Sequence, residues 1–589
     1  MNNYTLNKPG DHTKKSSVFN TLKKFLPLLK EEKGRLIGAG IAVLLNTGLN
    51  LSAPYIIGHT IDTYVVTGQY DGVLYFSAIL MVIYLCALVT HYIQIMVMGT
   101  VGQHVLFNLR NAIFEKIQSL PVAFFNQNKT GDLISRINND TDKLNTFFSQ
   151  GLVQFVANGI TIIGAGIFIL SINWQLGAAS LAPALFLLIF TQLLSGWIKR
   201  KNANNLKKVG GMSAEISESL EHFKVIVAFN RRDYFRKKFE MVNEENYKSA
   251  VSSGIANNTL TPTYGLVSSM AQLIVIAYGL YLISIGSFTL GLLVSFLSYI
   301  MRFYDPLRQM AMIWTSFQTA LAAWDRIHDI LILKSDLLVE PKSEKSREGN
   351  ALLEFKNVHF SYPDAPSEVL HHISFALEAG KTYALVGPTG GGKTTTASLM
   401  ARLYDPTKGG VYLDGKDIRT FEEGERTKKI GFILQEPILF AGTVHENILY
   451  GNEEYKDYSN EKLEKLIHYS NLGALLKRFD EGLKTPVASS GGSLSLGQKQ
   501  LIAFMRAVLR NPDLLILDEA TANIDTVTEQ LLEEILKNLP TKTTKVIIAH
   551  RLNTIENADE IFFVNGGELV RAGSMEHAVD LLLHGKRKS

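Results

Sequence analysis

From Tyr383 the chain runs through a short apolar segment to Val386, then Gly387-Pro388-Thr389-Gly390-Gly391-Gly392-Lys393-Thr394, then a helix-compatible stretch starting at Thr395. Strand, glycine loop and helix at the spacing G-x-x-x-x-G-K-[ST] describe a phosphate-binding loop. Glycines let backbone N–H groups close around phosphate oxygens, and a helix N-terminus adds a favourable dipole. On this reading Lys393 reaches the β- and γ-phosphates and the Thr394 hydroxyl ligates Mg²⁺. Residues Gly387 to Thr395 together form the expected phosphate cradle.

A second group of chemistry-bearing residues follows. The apolar run Leu514 to Leu517 ends in Asp518-Glu519. An acid at the C-terminal end of a strand beside a phosphate loop is where Mg²⁺ is held, and the adjacent Glu519 is placed to activate water as a general base. Ile547-Ile548-Ala549 delivers His550 at another strand end, within reach of a γ-phosphate. Leu494-Ser495-Leu496-Gly497-Gln498 is a small-residue turn entering a helix, a further anion site.

These residues need a scaffold, and the chain from 351 to 589 supplies one. Leu353 to Phe360, Tyr383 to Val386, Leu514 to Leu517 and Lys545 to Ala549 read as strands alternating with helices. The last three are short and wholly apolar, as buried parallel strands should be. This half is expected to be an α/β nucleotide-binding domain. A charged, polar linker at 326–350, around Pro341, Lys342 and Glu344, precedes it.

The first half is defined by missing charge. No Lys or Arg occurs between Arg35 and Arg110, between Lys143 and Lys199, or between Lys248 and Arg302, and the last two gaps also lack Asp and Glu. A charge at the centre of a membrane helix costs about 2.5–3.5 kcal/mol on insertion scales, and a span needs about 20 apolar residues. Each gap holds two spans and a short turn, at about 36–58, 73–98, 152–172, 175–197, 264–286 and 289–312 within a 36–325 transmembrane domain. No span carries a buried acid or base, and His91 reads as a packed, hydrogen-bonded histidine. The long basic segments 110–143 and 199–248 mark the cytoplasmic side, so both termini and the ATPase half face the cytoplasm. Residues 1–35 contain Val18, Leu22, Phe25, Leu26 and Leu29 at helical spacing among lysines, an amphipathic helix along the membrane surface.

At 589 residues two or more domains are expected, and a net charge of +4 with acids nearly balancing bases argues against a nucleic-acid binder. The lone cysteine, Cys86, permits no intramolecular disulfide.

Taken together, these motifs resemble an ABC transporter of the exporter type, in half-transporter form, over residues 18 to 580. The resemblance implies an all-α six-helix transmembrane domain followed by an α/β P-loop ATPase domain, embedded in the plasma (inner) membrane. It implies that Tyr362 stacks on adenine and that Gln435 contacts Mg²⁺ and water. Ser495, Gly497 and Gln498 would meet ATP held by the opposite subunit, and Asp525 would communicate across that interface. His550 would complete the clamp around the transition state. Phe124-Phe125-Asn126 with Gly131-Asp132-Leu133, and Glu221 to Asn230, resemble loops whose turns dock on the ATPase domains. Three positions depart from the family pattern: Leu496 in the signature, Pro486 where many exporters carry an acid, and Ala522 before the interface aspartate. They leave a heterodimer with another half-transporter open beside the homodimer. The expected cargo is amphipathic, hydrophobic or lipid-like. An exporter-fold importer and a lipid or glycolipid flippase are alternatives, as is an ATP-gated channel or regulatory half.

Overall fold

The computed structural model describes residues 4–6, 30–337, 339–340, 351–363, 365, 367–488, 494–518, 526–548, 558–573, 576–577 and 580. The expected surface helix around Val18 to Leu29 and most of the linker lie outside them. The chain divides into two compact units.

The helices of the first half include, in chain order, α1 (Lys33–Thr60), α2 (Tyr70–Gln118), α3 (Val122–Gln127), α4 (Leu152–Ile172), α5 (Trp174–Glu221), α6 (Phe223–Ala228), α7 (Arg232–Asn258), α8 (Leu260–Ser284) and α9 (Leu290–Leu331), with short helical turns from Thr130 to Gly151 leading into α4. At 49, 48 and 42 residues, α2, α5 and α9 are far longer than a bilayer needs. Among the described residues, five helical stretches are long and apolar enough to cross a membrane: Lys33–Val65, Tyr70–Gln118, Thr130–Ile172, Trp174–Glu221 and Arg232–Ser284. Helix α9, which contains the sixth expected span, is not among them, and its 289–312 stretch carries Arg302, Asp305 and Arg308.

Small residues and backbone carbonyls join these helices. Gly58 of α1 faces Gly291 of α9 so closely that a Cβ on Gly291 would lie 2.1 Å from the Gly58 carbonyl oxygen. Such small-residue crossings suit apolar surroundings, where association depends on close packing. Along the same pair, Ser295 Oγ donates to Pro54 O (2.7 Å) and the Tyr299 hydroxyl to Leu51 O (2.6 Å). Asp62 accepts from the Gly291 amide at 2.7 Å, satisfying a donor in the first turn of α9. The turn between α4 and α5 is a single residue: extended Asn173, whose side chain caps α5 by accepting from Leu176 N at 2.9 Å.

The ATPase unit contains residues 332 onward, and also the N-terminal residues up to Leu6 and the segment Lys116–Thr130, which includes α3. Its strands are β1 (Ala351–Phe360), β2 (Leu370–Glu378), β3 (Thr382–Val386), β4 (Lys408–Leu413), β5 (Lys416–Asp417), β6 (Ile430–Ile433), β7 (Gly442–Thr443), β8 (Pro486–Val487), β9 (Leu514–Asp518), β10 (Thr544–Ile548), β11 (Glu560–Asn565) and β12 (Glu568–Arg571). The main sheet has the order β12-β11-β3-β10-β9-β6 and is parallel except for β12. Every residue of β9 is buried, as its unbroken apolar run requires. A second, antiparallel sheet has the order β2-β1-β4-β5. Phe375 of that sheet packs on Phe562 of the main sheet, ring centroids 5.3 Å apart.

Candidate functional site

The phosphate loop leaves the end of β3, in the middle of the parallel sheet, and enters α10 (Lys393–Met400). Open α/β sheets bind ligands at this carboxyl edge. The loop is built against β11. A Cβ on Gly387, which has φ 144°, would sit 2.0 Å from Val564 O, and one on Gly391 would sit 2.6 Å from the same oxygen. Only glycine lets the loop lie this close to the neighbouring strand. The Lys393 side chain is buried and folds back over the loop, donating to Gly387 O (2.8 Å) and Pro388 O (3.0 Å). An ammonium that crowns a ring of backbone groups can attract an anion settling there.

Thr394 Oγ1 stands 3.5 Å from Asp518 Oδ1, and Asp518 is 1% exposed. The strand register explains the approach, because Ile548 aligns with both Asp518 and Leu385. The ends of β9, β10 and β3 therefore finish together beside the loop. One hydroxyl and one carboxylate at the lip of a phosphate site form the oxygen donor set that Mg²⁺ takes from protein when phosphates complete its shell. Gln435 is exposed, two residues beyond the end of β6, whose Ile433 aligns with Leu517. Glu519, Asp525 and His550 lie outside the described residues, as does Ala522.

Tyr362 lies close to the loop, its hydroxyl 3.1 Å from Thr395 Oγ1. Its ring meets Tyr404 edge-on at 5.3 Å and Phe360 at 4.8 Å. Tyr404 was not singled out in the sequence. It is buried, and its hydroxyl accepts from Asn126 Nδ2 at 2.6 Å.

Ser495 is the N-cap of α11 (Leu496–Val508) in a reciprocal box: its hydroxyl accepts from Gln498 N and its amide donates to Gln498 Oε1. The rest of the Gln498 amide donates to Arg478 O at 2.9 Å, so this side chain is engaged within its own chain. Ser495 and Leu496 are exposed. Pro486 belongs to β8, paired with Thr443 of β7.

Within the helical unit, α1, α2, α4 and α9 line a cavity of about 580 Å³. Its wall includes the amides Asn46, Asn50, Gln94, Asn158 and Gln309, together with His91, Arg302 and Asp305. Arg302 and Asp305 fall within the expected sixth span, Arg302 half-buried and Asp305 exposed. A second cavity, of about 460 Å³ between α4, α5 and α9, has a different chemistry: it is lined by Ile162, Leu181, Leu185, Leu188, Phe303 and Leu307 among other apolar residues.

Residues 36–307 match the ABC transporter transmembrane region and residues 370–522 the ABC transporter family. A multidrug resistance ABC transporter ATP-binding and permease protein of Lactococcus lactis subsp. lactis (strain IL1403) is 30% identical, over 95% of this chain and 94% of that protein. An ATP-dependent lipid A-core flippase of Syntrophus aciditrophicus (strain SB) is also 30% identical, over 94% and 91%. A solved structure of a bacterial Atm1-family ABC exporter with ATP bound superposes with a TM-score of 0.78 at 25% identity, covering 94% of this chain and 96% of that one.

Proposed function

The chain belongs to the ABC transporters of the exporter type, whose ATP hydrolysis is coupled to transport, and we propose that two copies of it export or flip an amphipathic molecule with a charged, hydrogen-bonding end. The observation that carries the cargo reading is the 580 Å³ cavity, where Arg302, Asp305 and several amides meet. Charged groups in a membrane domain are expensive and face interiors or substrate paths. On this reading α9 is the sixth span, with Arg302 and Asp305 turned to the cavity. The multidrug protein and the lipid A-core flippase among the relatives are consistent with a cargo that is part apolar.

At the ATP site, Lys393 and the loop amides hold the phosphates, and Tyr362 stacks on adenine. Thr394, Asp518 and Gln435 would hold Mg²⁺, which neutralises phosphate charge when bound. Glu519 orients and deprotonates the attacking water, and His550 holds the γ-phosphate. Ser495 and Gly497 close the site from the opposite copy, so hydrolysis requires a dimer. Phosphoryl transfer to water is then largely a matter of positioning and electrostatics. The ATPase halves face the cytoplasm, in a plasma-membrane protein with six spans. Transport follows if the cargo binds the two membrane-domain states with different affinity.

The test is ATP hydrolysis by this chain alone in lipid nanodiscs, beside Glu519→Gln. A rate that depends on Mg²⁺ and disappears in the variant is expected. A parent rate no higher than that of the variant sinks the homodimer and points to a partner half-transporter.

A further inference from the structure

The segment Tyr4–Leu6 is held against the turn that follows α2. Tyr4 is 1% exposed, and its ring meets Phe124 of α3 edge-on at 6.4 Å. The Tyr4 amide donates to Gln127 Oε1 (2.7 Å) and the Leu6 amide to Asn128 Oδ1 (3.0 Å). Asn128 Nδ2 in turn donates to Tyr4 O (2.9 Å) and Phe124 O (2.8 Å), tying the segment and α3 together. The Tyr4 hydroxyl reaches in the other direction. It donates to Lys334 O (3.1 Å) and accepts from Asp336 N (2.9 Å), in the stretch that leads from α9 toward the ATPase strands.

One short segment therefore joins α3 to the start of the linker. Helix α3 has six residues, too few to be stable alone, so outside contacts must fix its pose. That pose bears on the ATP site. Asn126, on the same helix, donates to Tyr404, Tyr404 meets the Tyr362 ring, and Tyr362 touches Thr395 of the loop helix. Moving α3 by even an ångström breaks the 2.6 Å bond to Tyr404 and frees the ring that backs Tyr362.

We infer that Tyr4–Leu6 is an intramolecular clamp that holds α3 where Asn126 reaches Tyr404, making Tyr4 a positioning residue for ATP binding. This rests on the reading of Tyr362 as the adenine platform. Tyr4 touches no nucleotide, so its effect travels through α3, Tyr404 and Tyr362.

Two measurements on the full-length protein in nanodiscs test it, comparing the parent with Tyr4→Ala and Tyr4→Phe. Amide exchange without nucleotide reads the clamp directly and needs no ATPase activity, so failure of the clamp and failure of the adenine reading are told apart. Residues 122–128 should exchange about tenfold faster in Tyr4→Ala, while Tyr4→Phe, which keeps the ring on Phe124, retains most of the protection. Steady-state hydrolysis should show KM for ATP raised about threefold to tenfold in Tyr4→Ala, with kcat within about twofold. Unchanged exchange in Tyr4→Ala overturns the clamp. Faster exchange with KM unchanged, or with kcat and KM lost together, overturns its connection to the adenine site.

Discussion

Arg326, near the end of α9, binds Asp132 at 2.6 Å and Asp140 at 3.0 Å, joining the far end of the last long helix to the segment after α3. Arg136, fully buried, binds Asp132 at 2.9 Å and donates to Arg326 O at 2.6 Å. Asp140 is itself buried, with half-exposed Lys143 as a further partner at 2.9 Å. Removing one member of a buried ionic group leaves the others desolvated and under-compensated. Arg326→Met should cost about 3 kcal/mol of stability in the helical unit, measured by thermal unfolding in nanodiscs. Adding Asp140→Asn should recover part of the loss. A loss from the single variant no larger than that of an exposed surface pair would show the cluster to be dispensable.

The facing pair Gly58 and Gly291 makes a separate prediction. A methyl on Gly291 would meet the Asp62 carboxylate and, closer still, the backbone oxygen of Gly58, which cannot turn aside, so α1 and α9 must part. Gly291→Ala should lower stability by about 2 kcal/mol, read as a fall in Tm. Gly286→Ala is not a suitable control, because its φ of 73° brings backbone strain of its own. Gly265, with no atom near the place of a Cβ, is suitable, and Gly265→Ala should leave Tm nearly unchanged.

In the ATP site, Lys393→Ala removes the ammonium and its hydrogen bonds to Gly387 O and Pro388 O while leaving every glycine of the loop in place. Hydrolysis should fall about a hundredfold or more, as when one preorganised donor is deleted from a transition-state site. Binding of a fluorescent ATP analogue should weaken in parallel. Retention of the parent rate would remove Lys393 from the phosphate site.

The polar cavity predicts a charge preference. Arg302→Gln should reduce stimulation of ATPase activity by amphiphiles with an anionic headgroup, and Asp305→Asn by those with a cationic one, while basal hydrolysis stays near the parent value. Vesicles with graded anionic lipid content supply the first probe. Equal responses of both variants to both classes would mean that neither charge contacts cargo.

Glu368 gives a pH prediction outside the membrane. Its carboxylate accepts from His359 at 3.0 Å and from His371 at 3.1 Å, and these hydrogen bonds, His359 first, hold it below its ordinary value of 4.5. A depressed carboxylate contributes stability above its unfolded pKa and loses it as pH falls through the folded value. The parent should therefore lose an increment of stability as the pH drops below 4.5, and Glu368→Gln should flatten the melting profile in that window. A parallel profile for the two proteins would show that the histidines do not act on it.

How much of this was legible in the chain divides by range. The phosphate loop declares itself because its glycines and Lys393 are local requirements of one turn. The turn at Asn173 is legible for the same reason: the expected span 152–172 has the bounds of α4, and the next, from 175, begins one residue after α5 does. Helix α2 continues twenty residues past the expected end of its span at 98, to Gln118. That Arg302 and Asp305 stand on a cavity wall was not legible, because a count of charges tells nothing about which face of α9 they occupy. Tyr404 escaped notice since Asn126 lies 278 positions away, and no periodicity connects the two. Tyr4 sat in a tail read by its lysines, where one buried aromatic leaves no pattern.

The position of Tyr4 also bears on how the protein can be handled at the bench. Affinity tags and fluorescent fusions are commonly placed at the N-terminus, on the assumption that it hangs free. Here a bulky fusion immediately ahead of Tyr4 would press on the seam that its hydroxyl and amide occupy. An ATPase fragment started at the first strand would lack both Tyr4 and α3, and with them the Asn126 bond to Tyr404. Nucleotide affinities measured on such a fragment would describe a different molecule from the full chain.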